Sequence, residues 1–201
     1  MARLTTKGQA TRERIVAGAA ELMYARGVER TSTQDVEKAA GVSSSQIYHY
    51  FDGKQSLVRA VIGYQADRII AVQRSLLEHG SGMAALDAWR DGVVALQVRF
   101  GVEGGCPLGQ LASELADSDQ TARLDLVAGF RRWEAALGDV LGAMHASGEL
   151  ASGAEPGLLA LALLTALQGG LLMSKARRDT VALEAALDTV LDRIRQLTVA
   201  T

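Results

Sequence analysis

One cysteine, two prolines and nine aromatic residues in 201 positions exclude several classes of protein at the outset. A lone thiol, Cys106, cannot make an intrachain disulfide, so a reducing cytoplasm is the simplest expected compartment. Proline is scarce, alanine and leucine fill most apolar positions, and no run alternates β-branched with polar residues. The expectation is therefore an all-α chain. Long apolar runs are also lacking. The longest, residues 158–173, is interrupted by Thr165, Gln168, Gly169 and Gly170. It is shorter than the roughly 17–25 residues of a membrane-spanning helix, so it reads as a buried helix of a soluble protein with no membrane partner. No apolar stretch follows the first basic residues, so no signal peptide is expected.

Catalytic signatures are missing too. The chain has no glycine-rich loop ending in Gly-Lys-Ser/Thr, no Gly-x-Ser-x-Gly elbow and no paired cysteines, while His49, His79 and His145 fall on separate elements. Glu114, Asp117 and Asp119 read as ordinary helix-end carboxylates. The expectation is no enzyme activity, no catalytic residue, no metal and no cofactor.

What is present is enough apolar material for a sizeable core: 48% of residues are hydrophobic and the mean hydropathy is +0.10, which excludes a disordered chain. The net charge of −2 argues against a generic polyanion binder, but it is unevenly spread. Residues 1–54 hold eight Lys and Arg against six Asp and Glu, whereas the remainder holds thirteen against seventeen. The first end is cationic, and Arg3, Lys7, Arg12, Arg14 and Lys54 are its candidate phosphate partners.

That end also carries the most informative segment, residues 32–54, STQDVEKAAGVSSSQIYHYFDGK. Ser32 can cap a first helix, with Asp35 in its first turn. Val36, Ala39 and Ala40 give that helix a small apolar face, and Gly41 can take the left-handed conformation that ends it. Ser43 can cap a second helix over 44–51, in which Ile47 and Phe51 share the inward face. The outward face is Ser44, Ser45, Gln46, Tyr48 and His49, side chains able to meet base edges and phosphate oxygens where a core helix would hold leucine. The spacing is that of a DNA-reading helix-turn-helix. A preceding helix has the apolar stripe Ile15, Ala19, Leu22, Met23 and an end at Gly27 and Val28.

Residues 10–60 as a whole resemble the N-terminal domain of the TetR/AcrR family of bacterial transcriptional regulators. The first helix ends at Gly27. Thr31-Ser32, Asp35-Val36, Ala39-Ala40-Gly41-Val42-Ser43, Ile47-Tyr48, Phe51, Lys54 and Leu57 then follow in the family's order without a gap. The likeness covers the first third of the chain and departs in three places, at Ser45, Tyr50 and Gly53. The hydroxyl of Ser45 either adds a contact or holds the helix further from the groove. Together with helix geometry, the resemblance implies that Thr33, Ser43, Ser44, Tyr48, His49, Tyr50 and Lys54 lie against the duplex. Gln34, Ser44, Ser45 and Gln46 would then be nearest the bases.

Beyond the head, Asp52 is the expected cap of a long fourth helix through Leu57, Val61, Tyr64 and Ile69 that ends at Gly80-Ser81-Gly82. A second all-helical unit follows. Trp89, Val93, Leu96 and Phe100 share one helix face, and Leu126, Phe130, Trp133, Leu137, Leu141 and Met144 share another. A glycine-rich loop leads through Pro107 into a short helix over 108–116, and two final helices span about 158–178 and 180–199. The domain division is 1–55 for the DNA-binding head, with its recognition unit at about 32–51, and 56–201 for effector binding and dimerisation. Residues 104–109, GGCPLG, resemble a loop in a subgroup related to multidrug-responsive repressors. Cys106 there is either a functional thiol or a small residue that packs where the loop enters the helix. The resemblance implies an effector cavity lined by Trp89, Phe100, Cys106, Phe130 and Trp133, with Gln168 as a polar contact. The last two helices carry more apolar surface than one domain covers. This predicts a homodimer through Leu163, Leu167, Leu171, Leu187, Leu191 and Ile194, with Gly169 and Gly170 allowing close approach.

The resulting expectation is a homodimeric, sequence-specific regulator on a near-palindromic double-stranded DNA operator, a repressor released by a small apolar effector. The competing reading is a helical protein-interaction module that does not touch DNA. Salt distinguishes them, because DNA affinity falls steeply with ionic strength through counterion release.

Overall fold

The computed structural model describes residues 5–199, so Arg3 lies outside the described residues. The order is α1 Thr6–Arg26, α2 Thr33–Ala40, α3 Ser44–Tyr50, α4 Lys54–Leu77, α5 Gly82–Arg99, α6 Pro107–Leu115, α7 Gln120–Ala146, α8 Pro156–Arg177 and α9 Val181–Gln196. Among the described residues there is no strand, and one isolated antiparallel bridge joins Leu150 to Thr198. The fold is all-α, as its composition requires.

Local chemistry sets most of the helix ends. The Thr5 hydroxyl accepts from Gly8 N–H at 3.2 Å to start α1, and Gly27, at φ +87°, stops it. Pro107 occupies the first position of α6, where its missing N–H costs nothing. The start of α4 differs from expectation. The chain bends through Asp52 and Gly53, the latter at φ +97°, and the helix begins at Lys54. Gly53, not Asp52, therefore stands in the capping position, and its carbonyl receives the Ser56 hydroxyl at 3.0 Å.

The chain divides into two compact units, Met1–Asp67 with Gln110–Gly129, and Arg68–Gly109 with Phe130–Thr201. Three helices, α4, α6 and α7, contribute residues to both. In the first unit Ile15, Ala19, Met23, Val36, Ile47, Phe51, Leu57 and Val61 are buried. The far part of α6 seals the end of α1: Glu114 Oε2 accepts Val28 N–H at 2.6 Å and Gln110 Nε2 donates to Tyr24 O at 3.1 Å. Glu114, which reads in sequence as an ordinary helix-end carboxylate, thus anchors the backbone just after α1, at a residue 86 positions away.

In the second unit Leu86, Trp89, Leu137, Leu141, Leu163, Leu167, Leu183 and Leu187 form a tightly buried core. Arg90 on α5 ties α9 in place, donating to Asp188 at 2.8 and 2.9 Å and to Glu184 at 3.1 Å. Arg195 on α9 pairs with Asp87 on α5. By length and composition α8 could cross a membrane, yet its Leu163, Leu164, Leu167 and Leu171 are buried in this core.

The six residues expected at a dimer interface need correcting. Leu163, Leu167, Leu171, Leu187, Leu191 and Ile194 are all buried within the chain itself. The stripes that looked uncovered in sequence cover each other, because α8 and α9 pack at very short range. A Cβ on Gly170 would lie 2.7 Å from Leu183 Cα. The apolar residues that α8 does expose are Leu158, Leu161, Leu172 and Met173.

That contact yields a measurable contrast. Gly170→Ala must push α9 away or distort α8, and should cost about 1–3 kcal/mol in chemical denaturation. Gly142→Ala meets no atom within 4 Å and should be neutral or stabilising by up to about 1 kcal/mol, since alanine is the better helix former.

Candidate nucleic-acid interface

Two reciprocal caps hold α2 and α3. At the start of α2, Ser32 Oγ accepts Asp35 N–H at 3.2 Å while Asp35 Oδ2 accepts Ser32 N–H at 3.0 Å. At the start of α3, Ser43 Oγ accepts Gln46 N–H at 3.4 Å and Gln46 Oε1 accepts Ser43 N–H at 3.0 Å. Each satisfies two backbone donors that a helix leaves orphaned. Between the helices Gly41 turns the chain at φ +63°, and Glu37 O accepts Val42 N–H at 3.1 Å.

Burial fixes which face of α3 points outward. Ile47 and Phe51 are buried, and the Arg12 guanidinium sits 5.2 Å from the centre of the Phe51 ring. Ser44, Ser45, Gln46, Tyr48 and His49 are exposed, Tyr48 to 60%. Tyr50 is half-buried, and its ring meets His49 edge-on at 4.9 Å. On and before α2, Thr33 is half-buried and Gln34, like Ser43, is exposed. Lys54 is exposed, and its Nζ donates to Glu29 O at 3.3 Å, which steadies the ammonium beside the α1–α2 connection. Lys7, Arg12 and Arg14 on α1 are exposed as well.

The polar groups of α3 are internally engaged. Ser43 Oγ and Ser45 Oγ lie 2.9 Å apart, and Ser44 Oγ donates to Glu37 Oε1 at 2.5 Å. Gln46 has committed its oxygen to the cap, so its amide hydrogens are what it can offer outward. Glu37 was missed in sequence because it lies on α2, seven residues before Ser44, and an isolated glutamate there looks solvated. The architecture also shifts the titration of Asp35. The Ser32 hydroxyl and backbone N–H, and then Arg26, hold its carboxyl below the ordinary aspartate range.

The residues expected to line an effector cavity divide sharply in the second unit. Trp89 is fully buried and its Nε1 donates to Gln73 Oε1 at 2.5 Å, so its indole is already paired. Phe100 is 66% exposed at the end of α5, with the Arg99 guanidinium over its ring. The α5 stripe has run out by that point, so Phe100 faces solvent and lines no enclosed space. Phe130 and Gln168 are half-buried. Cys106 and Gln168 both border Gly109, whose Cβ would stand 3.4 Å from Cys106 Cβ and 2.9 Å from Gln168 Oε1. Burial pushes the Cys106 thiol above its usual pKa, opposed by the Gly109 N–H that it accepts at 3.3 Å and by the Gln168 side chain beside it, and the sulfur stays protonated at neutral pH. Trp133 is 2% exposed, and its Nε1 has no hydrogen-bond partner. Gln168 Nε2 and Ser174 Oγ are likewise buried and unpaired. Ser174 gave no signal in sequence, since a serine near a helix end ordinarily faces water.

Comparison with known proteins agrees with this geometry. Residues 15–61 match the family model described as bacterial regulatory proteins, tetR family, and residues 82–190 match that of the Tetracyclin repressor-like C-terminal domain. An uncharacterized HTH-type transcriptional regulator from Mycobacterium tuberculosis is 29% identical over 201 residues, covering 96% of both chains. Another, from the lacX 3' region of Lactococcus lactis, is 28% identical over 184 residues, covering 89% of this chain and 90% of its own. Among solved structures, a TetR transcriptional regulator from Chloroflexus aurantiacus superposes with a TM-score of 0.83 at 26% identity, over 96% of this chain and 98% of that one. A TetR-family regulator from Cytophaga hutchinsonii shares the fold at a TM-score of 0.81 and 18% identity, covering 99% and 100%.

The Asp35 cap makes head stability depend on acid. Its folded pKa is depressed, so its stabilisation is complete above the unfolded value of about 3.9 and is lost as pH falls through the lower folded value. Hydrogen-exchange protection along α2, with the intrinsic exchange rate divided out, should therefore fall below about pH 4 in the wild type. Asp35→Asn, which carries no such linkage, should show a flatter profile.

Proposed function

This chain belongs to the TetR family of bacterial regulators, a helix-turn-helix DNA-binding regulator of transcription, and from that premise we propose how it engages DNA and what releases it. The observation that carries the reading is the polarity of α3. Ile47 and Phe51 are buried while the opposite face offers hydroxyls, an amide and Tyr48 to solvent. A helix so arranged presents its first residues to base edges in the major groove, while α2 crosses the backbone. Ser44, Ser45, Gln46 and Gln34 are the base readers. Thr33, Ser43, Tyr48, His49, Tyr50 and Lys54 meet phosphates, joined by Lys7, Arg12 and Arg14. The protein acts in the cytoplasm as a repressor.

Two copies bind one near-palindromic operator. The exposed residues Leu158, Leu161 and Leu172 follow one another at helical spacing along α8. Between them Thr165 and Gly169 are exposed too, and the glycine permits close helix approach. A two-fold partner would bury this stripe and space the reading helices about 34 Å apart, one turn of the duplex.

Release follows from a small, neutral, largely apolar effector held in the second unit. Trp133 Nε1 is a buried donor without a partner, and a buried donor left unpaired costs about 1–3 kcal/mol. An effector bearing a carbonyl-type acceptor would satisfy it. It shifts the equilibrium only if it binds the DNA-incompetent arrangement more tightly. The continuous helices α4, α6 and α7, each shared by both units, are the covalent routes for that shift.

For DNA, Lys54→Ala should weaken operator and random duplexes alike and flatten the salt dependence in fluorescence anisotropy. A selective loss on the operator would move Lys54 from phosphate to base. For assembly, Leu161→Glu combined with Leu172→Glu should sediment as a monomer and lose most operator affinity; a dimeric double variant would place the interface elsewhere. For release, Trp133→Phe keeps an aromatic ring, smaller than the indole, and removes the N–H. It should raise the concentration of a confirmed inducer needed for half-release by roughly fivefold or more, while operator affinity is unchanged.

A further inference from the structure

Glu37 belongs to no part of the DNA-reading arrangement derived so far, yet its carboxylate is bonded to the first residue of α3. Ser44 opens α3, and its Oγ donates to Glu37 Oε1 at 2.5 Å. A serine hydroxyl has one hydrogen. With that hydrogen committed to Glu37, the Ser44 oxygen can only accept, and the carboxylate beside it also only accepts. The pair thus forms a negatively charged, acceptor-only surface at the base-facing start of the recognition helix. Nearby hydroxyls do not neutralise it: Ser43 and Ser45 pair with each other, and Gln46 Oε1 points into the cap. In the major groove cytosine shows an N4 donor, whereas guanine shows O6 and N7 and thymine shows O4, all acceptors that would face the carboxylate unfavourably. Adenine offers N6 as a donor, but its adjacent N7 acceptor meets the same charge. We infer that Glu37, through its bond to Ser44, is a specificity-determining residue that selects cytosine at one position of each operator half-site.

The inference rests on the reading of α3 as the base-facing helix, and the test separates the two. Selection from a random double-stranded DNA library would be run with the full-length wild type, Glu37→Ala, Glu37→Gln and Gln46→Ala. The wild type should favour cytosine by roughly tenfold at one position per half-site, the scale of a single mismatched pair. Glu37→Ala should flatten that position. Glu37→Gln should move it to guanine or thymine, because the amide oxygen can still hold Ser44 while its Nε2 donates to an acceptor on the base. A purely structural role for Glu37 would change affinity without changing base identity. Identical motifs for the wild type and both Glu37 variants, with an altered motif for Gln46→Ala, would overturn the role of Glu37 and leave α3 as the reader. A wild type that enriches no motif would overturn both. A position that changes on Glu37 substitution but is not cytosine in the wild type would also overturn the assignment.

Discussion

A seven-residue helix cannot hold itself in water, because nucleating a helical turn fixes several backbone angles for a single hydrogen bond. The surface proposed to read DNA nevertheless sits on such a helix, α3. Its shape is borrowed from two anchors: burial of Ile47 and Phe51 against the head, and the Ser43–Gln46 reciprocal cap. The cap matters twice, since the glutamine that stabilises the helix is also a base-reading candidate. By committing its oxygen inward, Gln46 leaves its amide hydrogens as the groups it can offer outward, so folding narrows the chemistry that this side chain can use.

The head depends in turn on support distant in sequence. Glu114 and Gln110 close the open end of α1 through Val28 N–H and Tyr24 O. A carboxylate there both accepts the backbone donor and leaves little room for a side chain at Gly27, whose Cβ would stand 3.0 Å from Glu114 Oε2. These α6 residues group with the head, while Gly109, near the beginning of the same helix, and Cys106, just before it, group with the second unit beside Gln168. One short helix therefore carries both the anchor at the end of α1 and the neighbourhood of an unpaired buried amide.

The second unit shows how apolar surplus is divided between core and surface. Gly170 brings α9 so close to α8 that the leucines of both helices are enclosed within one chain. What remains outside is narrower than the sequence pattern implies, and it includes Leu158, Leu161 and Leu172. The Arg90 bridges to Asp188 and Glu184 hold α9 against α5. Trp133 Nε1, Gln168 Nε2 and Ser174 Oγ are the buried side-chain atoms left without a hydrogen-bond partner among the described residues of that unit.

Local signals determined the head. Ser32, Asp35, Gly41 and Ser43 act through bonds to residues a few places away, so helix boundaries there, the buried Ile47 and Phe51, and the outward polar face were all legible from spacing. The all-α class was legible for the same reason, since helices are written in nearest-neighbour chemistry. Where helix faces meet other helices, sequence was a poor guide. A hydrophobic stripe states that a face is covered but not by what, which is why Leu163, Leu187 and their neighbours looked available for a partner and are enclosed. Phe100 continued an apolar spacing past the point where its helix had anything left to pack on. Glu37, Glu114 and Ser174 were silent for the converse reason. A polar side chain declares its role only when the atom it meets, or fails to meet, has been placed by tertiary packing, and no local pattern encodes that encounter.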